Sequence, residues 1–188
     1  MSFQPPPPLI SLLAILFLGI PVCRAPGQTT AMQGFCPVTI LDGRKWEKGD
    51  SSLKSTYDNR TYFFVSQKAK EKFDSSPPRY IPALGGDCIV CLVNMKKRIA
   101  GSVFFSVRHK DRLYLFPQDE AKKVFKEDPE KFENSDLAFD GNCPVCRKGG
   151  VAEKGKPEFT VIVNDLRYQM ASREVMAEFQ RNPRIYTR

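Results

Sequence analysis

The chain has 188 residues, of which 41% are hydrophobic and 27% are charged. These fractions are ordinary for a globular protein and exclude a wholly disordered or collagen-like chain. The 29 Lys and Arg residues exceed the 21 Asp and Glu residues, which gives a net charge of +8. The sequence contains one histidine, His109, and this excludes a metal site built from several histidines.

The chain begins with a segment that is typical of a signal peptide. Residues 9–20 are almost entirely apolar, and a proline and a short stretch of small and polar residues follow them. The apolar run is shorter than the about 20 residues of a membrane-spanning helix. We therefore predict that residues 1–31 are a signal peptide and leader, cleaved after Ala25 or Ala31. The mature chain would be secreted or periplasmic with no membrane span, and a retained anchor or lipidation at Cys23 are the alternatives.

Three repeats follow the leader. Five landmark residues of the first copy recur 52 residues later in the second, and they recur in the third at a further offset of 54 or 55. In chain order they are Cys36, Tyr62, Phe73, Pro77 and Tyr80, then Cys88, Tyr114, Phe125, Pro129 and Phe132, then Cys143, Tyr168, Phe179, Pro183 and Tyr186. This register predicts repeats over residues 32–84, 85–139 and 140–188.

Each repeat has the same predicted elements. A Gly-x-Cys turn and a variable loop come first, and a β-hairpin follows. The last element is a short helix, which ends before a proline. The strands of the hairpins are predicted at residues 53–57 with 62–65, 103–108 with 113–116 and 159–163 with 168–170. The helices are predicted at residues 66–74, 118–127 and 172–181. Their predicted N-caps are Ser66, Asp119 and Ser172. Because a unit of about 50 residues has a marginal core of its own, we predict an α+β fold of three small units packed together.

The landmarks of each repeat resemble the YHS domain, a small α+β module that is associated with metal handling and is similar to the heavy-metal-binding TRASH modules. The shared features are a cysteine near the start, an aromatic strand, and a helix that ends in Phe-x-x-x-Pro followed by an aromatic residue. They are most specific in residues 62–80 and 114–132, and as three copies they cover residues 34–186. The resemblance implies a multi-copy exported YHS-domain protein of the kind found in bacteria.

The chain departs from this family at one half of the metal site. Metal-binding members have a second pair of ligands after the aromatic strand. The corresponding positions are apolar in every repeat of this chain, namely Val65 and Ala69, Pro117 and Ala121, and Ala171 and Val175. The resemblance therefore implies the fold, whereas one metal ion per repeat would lack its second pair of ligands.

Two Cys-x-x-Cys motifs carry the remaining metal chemistry. The four thiols of Cys88, Cys91, Cys143 and Cys146 would suit one zinc or cuprous copper ion if the repeats bring the motifs together. Cys36 belongs to a half-motif in the first repeat and is a candidate fifth thiol. Our leading hypothesis is therefore a protein that binds a soft metal ion, zinc or copper, through these cysteines.

The same cysteines allow two other interpretations. They would form structural disulfides in a non-catalytic interaction or scaffold protein, or they would cycle between dithiol and disulfide. We expect no enzyme, because motifs of serine hydrolases, P-loop proteins and zinc proteases are absent from the sequence. The positive charge favours another protein or an anionic surface as a partner, and we expect no nucleic acid partner because the lysines fall on solvated helix faces. His109 is expected at an exposed hairpin turn.

Overall fold

In the computed structural model, which describes residues 29–187, the same order of elements occurs three times. Each series begins with a 3-10 turn, continues through a short helix and a β-hairpin, and then reaches a longer helix. We call these series unit 1 (residues 31–82), unit 2 (residues 83–137) and unit 3 (residues 138–187). Helices and small sheets are mixed along the chain, so the predicted α+β class is confirmed.

The elements are as follows. Strand β1 (Thr29–Thr30) precedes unit 1, which contains the turn Ala31–Gly34, α1 (Pro37–Gly43), β2 (Asp50–Tyr57), β3 (Arg60–Phe64), α2 (Gln67–Ser75) and α3 (Pro77–Tyr80). Unit 2 contains the turn Ala83–Gly86, α4 (Ile89–Met95), β4 (Ser102–His109), β5 (Arg112–Phe116) and α5 (Asp119–Glu127). Unit 3 contains the turns Ala138–Gly141, Pro157–Phe159 and Pro183–Ile185, α6 (Pro144–Lys148), β6 (Thr160–Val163), β7 (Leu166–Gln169) and α7 (Arg173–Arg181).

Each hairpin pairs two antiparallel strands, β2 with β3, β4 with β5 and β6 with β7. The two residues at each tip have positive φ, and these are Asp58, Asn59, Lys110, Asp111, Asn164 and Asp165. Two successive positive φ values give the turn whose twist matches that of a hairpin, and Asn and Asp tolerate this conformation best. The predicted hairpin tips are therefore confirmed.

Strand β1 lies at the boundary of the predicted leader. It pairs in parallel with β3, so that Thr29 lies opposite Arg60. Ala31, the first residue after β1, is 4% exposed and lies in the core of unit 1. Cleavage after Ala25 would keep these contacts, whereas cleavage after Ala31 would remove them. The rest of the leader, residues 1–28, lies outside the described residues, so its role stays a prediction.

Two of the three predicted helix N-caps are confirmed. The hydroxyl of Ser66 accepts a hydrogen bond from the backbone N–H of Ala69, and that of Ser172 accepts one from Val175. The third prediction is wrong, because Gln118 is the N-cap of α5 and makes no capping hydrogen bond with its side chain. Asp119 is instead the first helical residue, where its carboxylate pairs with the ammonium of Lys123.

The segment after each leading cysteine forms a short helix, so the loop that we predicted there is wrong. Cys36, Cys88 and Cys143 are the N-caps of α1, α4 and α6. Helices α1 and α6 begin with Pro37 and Pro144, and proline is favoured at the first helical position because its fixed φ suits the helix. Each Cys-x-x-Cys motif therefore spans the first turn of a helix.

Each unit has an aromatic core in which the helix after the hairpin covers the second strand. In unit 2 the ring of Phe125 lies 4.5 Å from that of Tyr114 and 5.3 Å from that of Phe116, measured between centroids. Phe132, which follows Pro129, folds back beside Phe125 with 6.2 Å between the ring centroids. The cores are not independent, since Ile162 of unit 3 is buried in the cluster that forms around unit 1.

Buried ion pairs and hydrogen bonds join the units. Asp136, which follows α5, is fully buried and binds the guanidinium groups of Arg112 in unit 2 and Arg167 in unit 3. Asp165 at the unit 3 hairpin tip binds Arg60 of unit 1 at 2.8 Å and Arg98 of unit 2 at 2.6 Å. The three units therefore pack as one body, and this packing fixes the surroundings of the cysteines.

Candidate metal centre

The two Cys-x-x-Cys motifs have the same local geometry. The backbone N–H of Cys91 donates a hydrogen bond to Sγ of Cys88 at 3.1 Å, and that of Cys146 donates to Sγ of Cys143 at 3.3 Å. In both motifs a sulfur atom is therefore the cap of a helix, in the role that a hydroxyl or carboxylate oxygen usually has. The second thiol of each motif lies one helical turn further, on the same side as the first.

The thiols differ in their access to solvent. Cys88 and Cys143 are fully buried and Cys91 is 4% exposed, whereas Cys146 is half-buried. All are free thiols, with no disulfide between them. An ion would therefore reach the unit 3 pair from the surface through Cys146, and it would reach the unit 2 pair from the side of Cys91.

One thiol of each motif has a raised pKa. Burial, with the hydrogen bond from the Cys91 thiol as the next cause, raises the pKa of Cys88 to about 12. Burial and the neighbouring Cys143 thiol likewise raise the pKa of Cys146 to about 12, and the carboxylate of Glu153 adds to this effect. Because a metal ion binds the thiolate, an ion bound at either motif would have to displace these protons.

A cavity of about 380 Å³ borders the motif of unit 2. Cys91 and Met95 line it from α4, and Pro117 and Ala121 line it from the other side. Pro117 and Ala121 occupy the positions where the resembling family has its second pair of ligands. A second pair of donors at these positions would therefore line the same cavity as Cys91.

The corresponding cavity of unit 1, of about 280 Å³, repeats this relation without a second cysteine. Thr39 takes the place of the second thiol, and Val65 and Ala69 line the opposite side. The hydroxyl of Thr39 donates to the backbone carbonyl of Cys36, whose own thiol is fully buried. Cys36 is thus a single structural thiol within unit 1, with no cysteine beside it in its motif.

The five predicted ligands are not brought together. Cys36 packs in the core around unit 1, Cys88 and Cys91 in that of unit 2, and Cys143 and Cys146 in that of unit 3. Within residues 29–187, no group of three or more His, Cys, Asp or Glu side chains is placed to hold one metal ion. What the fold does assemble is a pair of thiols at each Cys-x-x-Cys motif.

These pairs fit a soft ion of low coordination number better than they fit zinc. A structural zinc ion takes four ligands, and each motif supplies two. Cuprous copper prefers soft sulfur donors and is satisfied by two or three of them. The donor set of each motif, two thiols on one turn of a helix, therefore matches Cu(I), which would displace one proton from each thiol into the solvent on binding.

His109 is not the exposed turn residue that the sequence suggested. It is the last residue of β4, its side chain is about one quarter exposed, and its Nε2 lies 2.7 Å from Oε2 of Glu133. Its ring also packs edge-on against Phe125 at 5.9 Å. These contacts give His109 a role in holding the segment after α5 against the hairpin of unit 2.

Comparison of the chain with protein-family models, with curated proteins and with solved structures finds no match. Among the helices of residues 29–187, none combines the length and the apolar character that crossing a bilayer requires.

Proposed function

We propose that this chain is an exported, non-catalytic protein of YHS-like units that binds a soft metal ion, cuprous copper, at each Cys-x-x-Cys motif. One ion would bind Cys88 and Cys91 in unit 2, and another would bind Cys143 and Cys146 in unit 3. The observation that carries the proposal is the pairing of two free thiols across the first turn of α4 and again of α6.

A further observation supports two copper sites over one zinc site. The pairs belong to separate hydrophobic clusters, which favours two sites of two thiols each over one site of four.

The test is a titration of the reduced protein with Cu(I) against a chromophoric chelator that competes for the ion. We expect one Cu(I) ion for each motif. A Cys88→Ser/Cys91→Ser variant should lose the ion of unit 2 alone, and a Cys143→Ser/Cys146→Ser variant should lose that of unit 3 alone. The matched control is Cys36→Ser, which alters an equally buried thiol at the N-cap position of α1 that has no second cysteine in its motif, and it should leave the stoichiometry unchanged.

Other outcomes would contradict the proposal in distinct ways. If either double variant abolished all binding, the four thiols would share one ion. If the unsubstituted protein bound neither Cu(I) nor zinc, its cysteines would be structural, and the chain would be an interaction scaffold. Circular dichroism of each variant shows whether the fold persists, so that a loss of binding is distinguished from unfolding.

A further inference from the structure

The two Cys-x-x-Cys motifs differ in the residue seven positions after the leading cysteine, which is a methionine in unit 2. Met95 lies one helical turn after Cys91 in α4, so that Cys88, Cys91 and Met95 follow one another at intervals of three and four residues on one face. Units 1 and 3 have a glycine at the same distance from their leading cysteines, Gly43 after Cys36 and Gly150 after Cys143. The thioether is thus specific to the motif of unit 2.

The side chain of Met95 borders the same cavity as the Cys91 thiol. It is 51% exposed, so no core packing accounts for this large apolar residue at the end of a short helix. Pro117 and Ala121 also line the cavity and have no donor atom in their side chains, and the polar lining residues Asn94 and Gln118 offer amide oxygens, which are hard donors. Among the residues that line this cavity, Met95 is therefore the soft donor that is present besides Cys91.

The chemistry of a thioether suits this position. It is a soft, neutral ligand, so it adds a third sulfur to Cu(I) without adding negative charge to a site that already has two thiolates. Its long, unbranched side chain has three rotatable bonds, which allow the sulfur to swing from the rim of the cavity toward an ion at Cys91.

We propose that Met95 is the third ligand of a soft ion bound to Cys88 and Cys91, which makes the unit 2 site a three-sulfur site. This inference rests on the proposed function, because it names a further ligand of the same ion. The unit 3 site, whose corresponding residue is Gly150, remains a site of two thiols.

The test uses a Cys143→Ser/Cys146→Ser background, so that the unit 2 site is the one that is measured. Met95→Leu keeps the size and apolar character of the side chain but removes its sulfur, and it should weaken Cu(I) binding by about tenfold or more. Met176→Leu, in unit 3, is the matched control and should leave the affinity unchanged. If Met95 had a structural role only, Met95→Leu would leave the set of atoms that coordinate the ion unchanged.

A spectroscopic measurement separates coordination from packing. With selenomethionine in place of methionine, X-ray absorption at the selenium edge should detect a copper–selenium distance, which Met95→Leu removes and Met176→Leu keeps. If the background protein binds Cu(I) with two sulfur neighbours and no selenium neighbour, Met95 is not a ligand although the proposed function stands. If it binds no Cu(I) while the fold persists, the proposed function fails at this motif and the inference fails with it.

Discussion

Asp136 is a single carboxylate that joins units 2 and 3. Its side chain is fully buried against Arg112 and Arg167. Removing its charge leaves two largely buried guanidinium groups without a counter-ion, so Asp136→Asn should lower the free energy of unfolding by about 3–5 kcal/mol. Urea unfolding followed by circular dichroism measures this change. Asp111→Asn is the control, since its carboxylate is 85% exposed, and it should alter the stability by less than about 1 kcal/mol.

The same carboxylate should make the fold sensitive to acid. Burial acts to raise the pKa of Asp136, but the hydrogen bond and charge of Arg112 and the charge of Arg167 outweigh it, so the pKa lies below its ordinary value. Such a group stabilises the fold above its unfolded pKa, and this stabilisation is lost as the pH falls through the folded pKa. Below about pH 4, the stability of the unsubstituted protein should fall more steeply than that of Asp136→Asn. Parallel pH profiles would contradict this role.

The reactivity of Cys146 should depend on a neighbouring carboxylate. Its Sγ lies 3.5 Å from Oε2 of Glu153, and this contact adds to burial and to the Cys143 thiol in raising the pKa of Cys146. Glu153→Gln removes the negative charge, so it should lower this pKa and increase the rate of alkylation by iodoacetamide at pH 8. Peptide mass spectrometry measures the rate at Cys146. Glu158→Gln, another Glu of unit 3, is the control and should leave the rate as it is.

At the scale of the secondary-structure elements, α5 has a helix end that can be improved. Its N-cap, Gln118, makes no capping hydrogen bond, whereas the serines at the corresponding positions of α2 and α7 do. Gln118→Ser should therefore stabilise the protein by about 0.5–1 kcal/mol, and Ser66→Ala should destabilise it by about 1 kcal/mol. Thermal unfolding compares these variants. A Gln118→Ala variant as stable as Gln118→Ser would show that the hydroxyl does not cap α5.

The elements differ in how far their sequences reveal them. The hairpins were predictable because turn residues such as Asp58 and Asn59 stand between two strand patterns. Helix α2 was predictable because its apolar residues Ala69 and Phe73 are four positions apart, which places them on one face of a helix. Helices α1, α4 and α6 were missed because five to seven residues are too few for a helical period. A proline directly after the cysteine, as at Pro37, was the signal that could have located two of them.

At the scale of the whole molecule, unit 1 should not fold alone. Its core cluster includes Val103, Leu113 and Leu115 of unit 2 and Ile162 of unit 3, and its own Arg60 pairs with Asp165. A fragment of residues 29–82 would expose this apolar surface to water, so we expect no cooperative unfolding transition in its circular dichroism. Adding the fragment of residues 83–187 should restore the transition. Cooperative unfolding of the short fragment by itself would contradict the shared core.

Contacts between the units were beyond prediction from this sequence. The small size of each repeat predicted that the units pack together, but neither this size nor the register of the repeats indicates which faces meet. Arg60 and Asp165 are 105 residues apart, and neither belongs to the landmarks of the repeat. For the same reason the sequence could not reveal whether the two Cys-x-x-Cys motifs share an ion, because that depends on how units 2 and 3 are turned toward each other.

The contact between the first and last hairpin tips makes every unit a neighbour of the other two. Both carboxylate oxygens of Asp58 accept backbone hydrogen bonds, from Asn164 and Asp165, so unit 1 touches unit 3 as well as unit 2. In an open solenoid each terminal repeat contacts one neighbour, and the effect of a substitution is passed along the stack from one repeat to the next. Here unit 2 also contacts unit 3 through Asp136 and Arg167, so the three contacts form a ring. A substitution that loosens any one unit should therefore weaken both of the others directly.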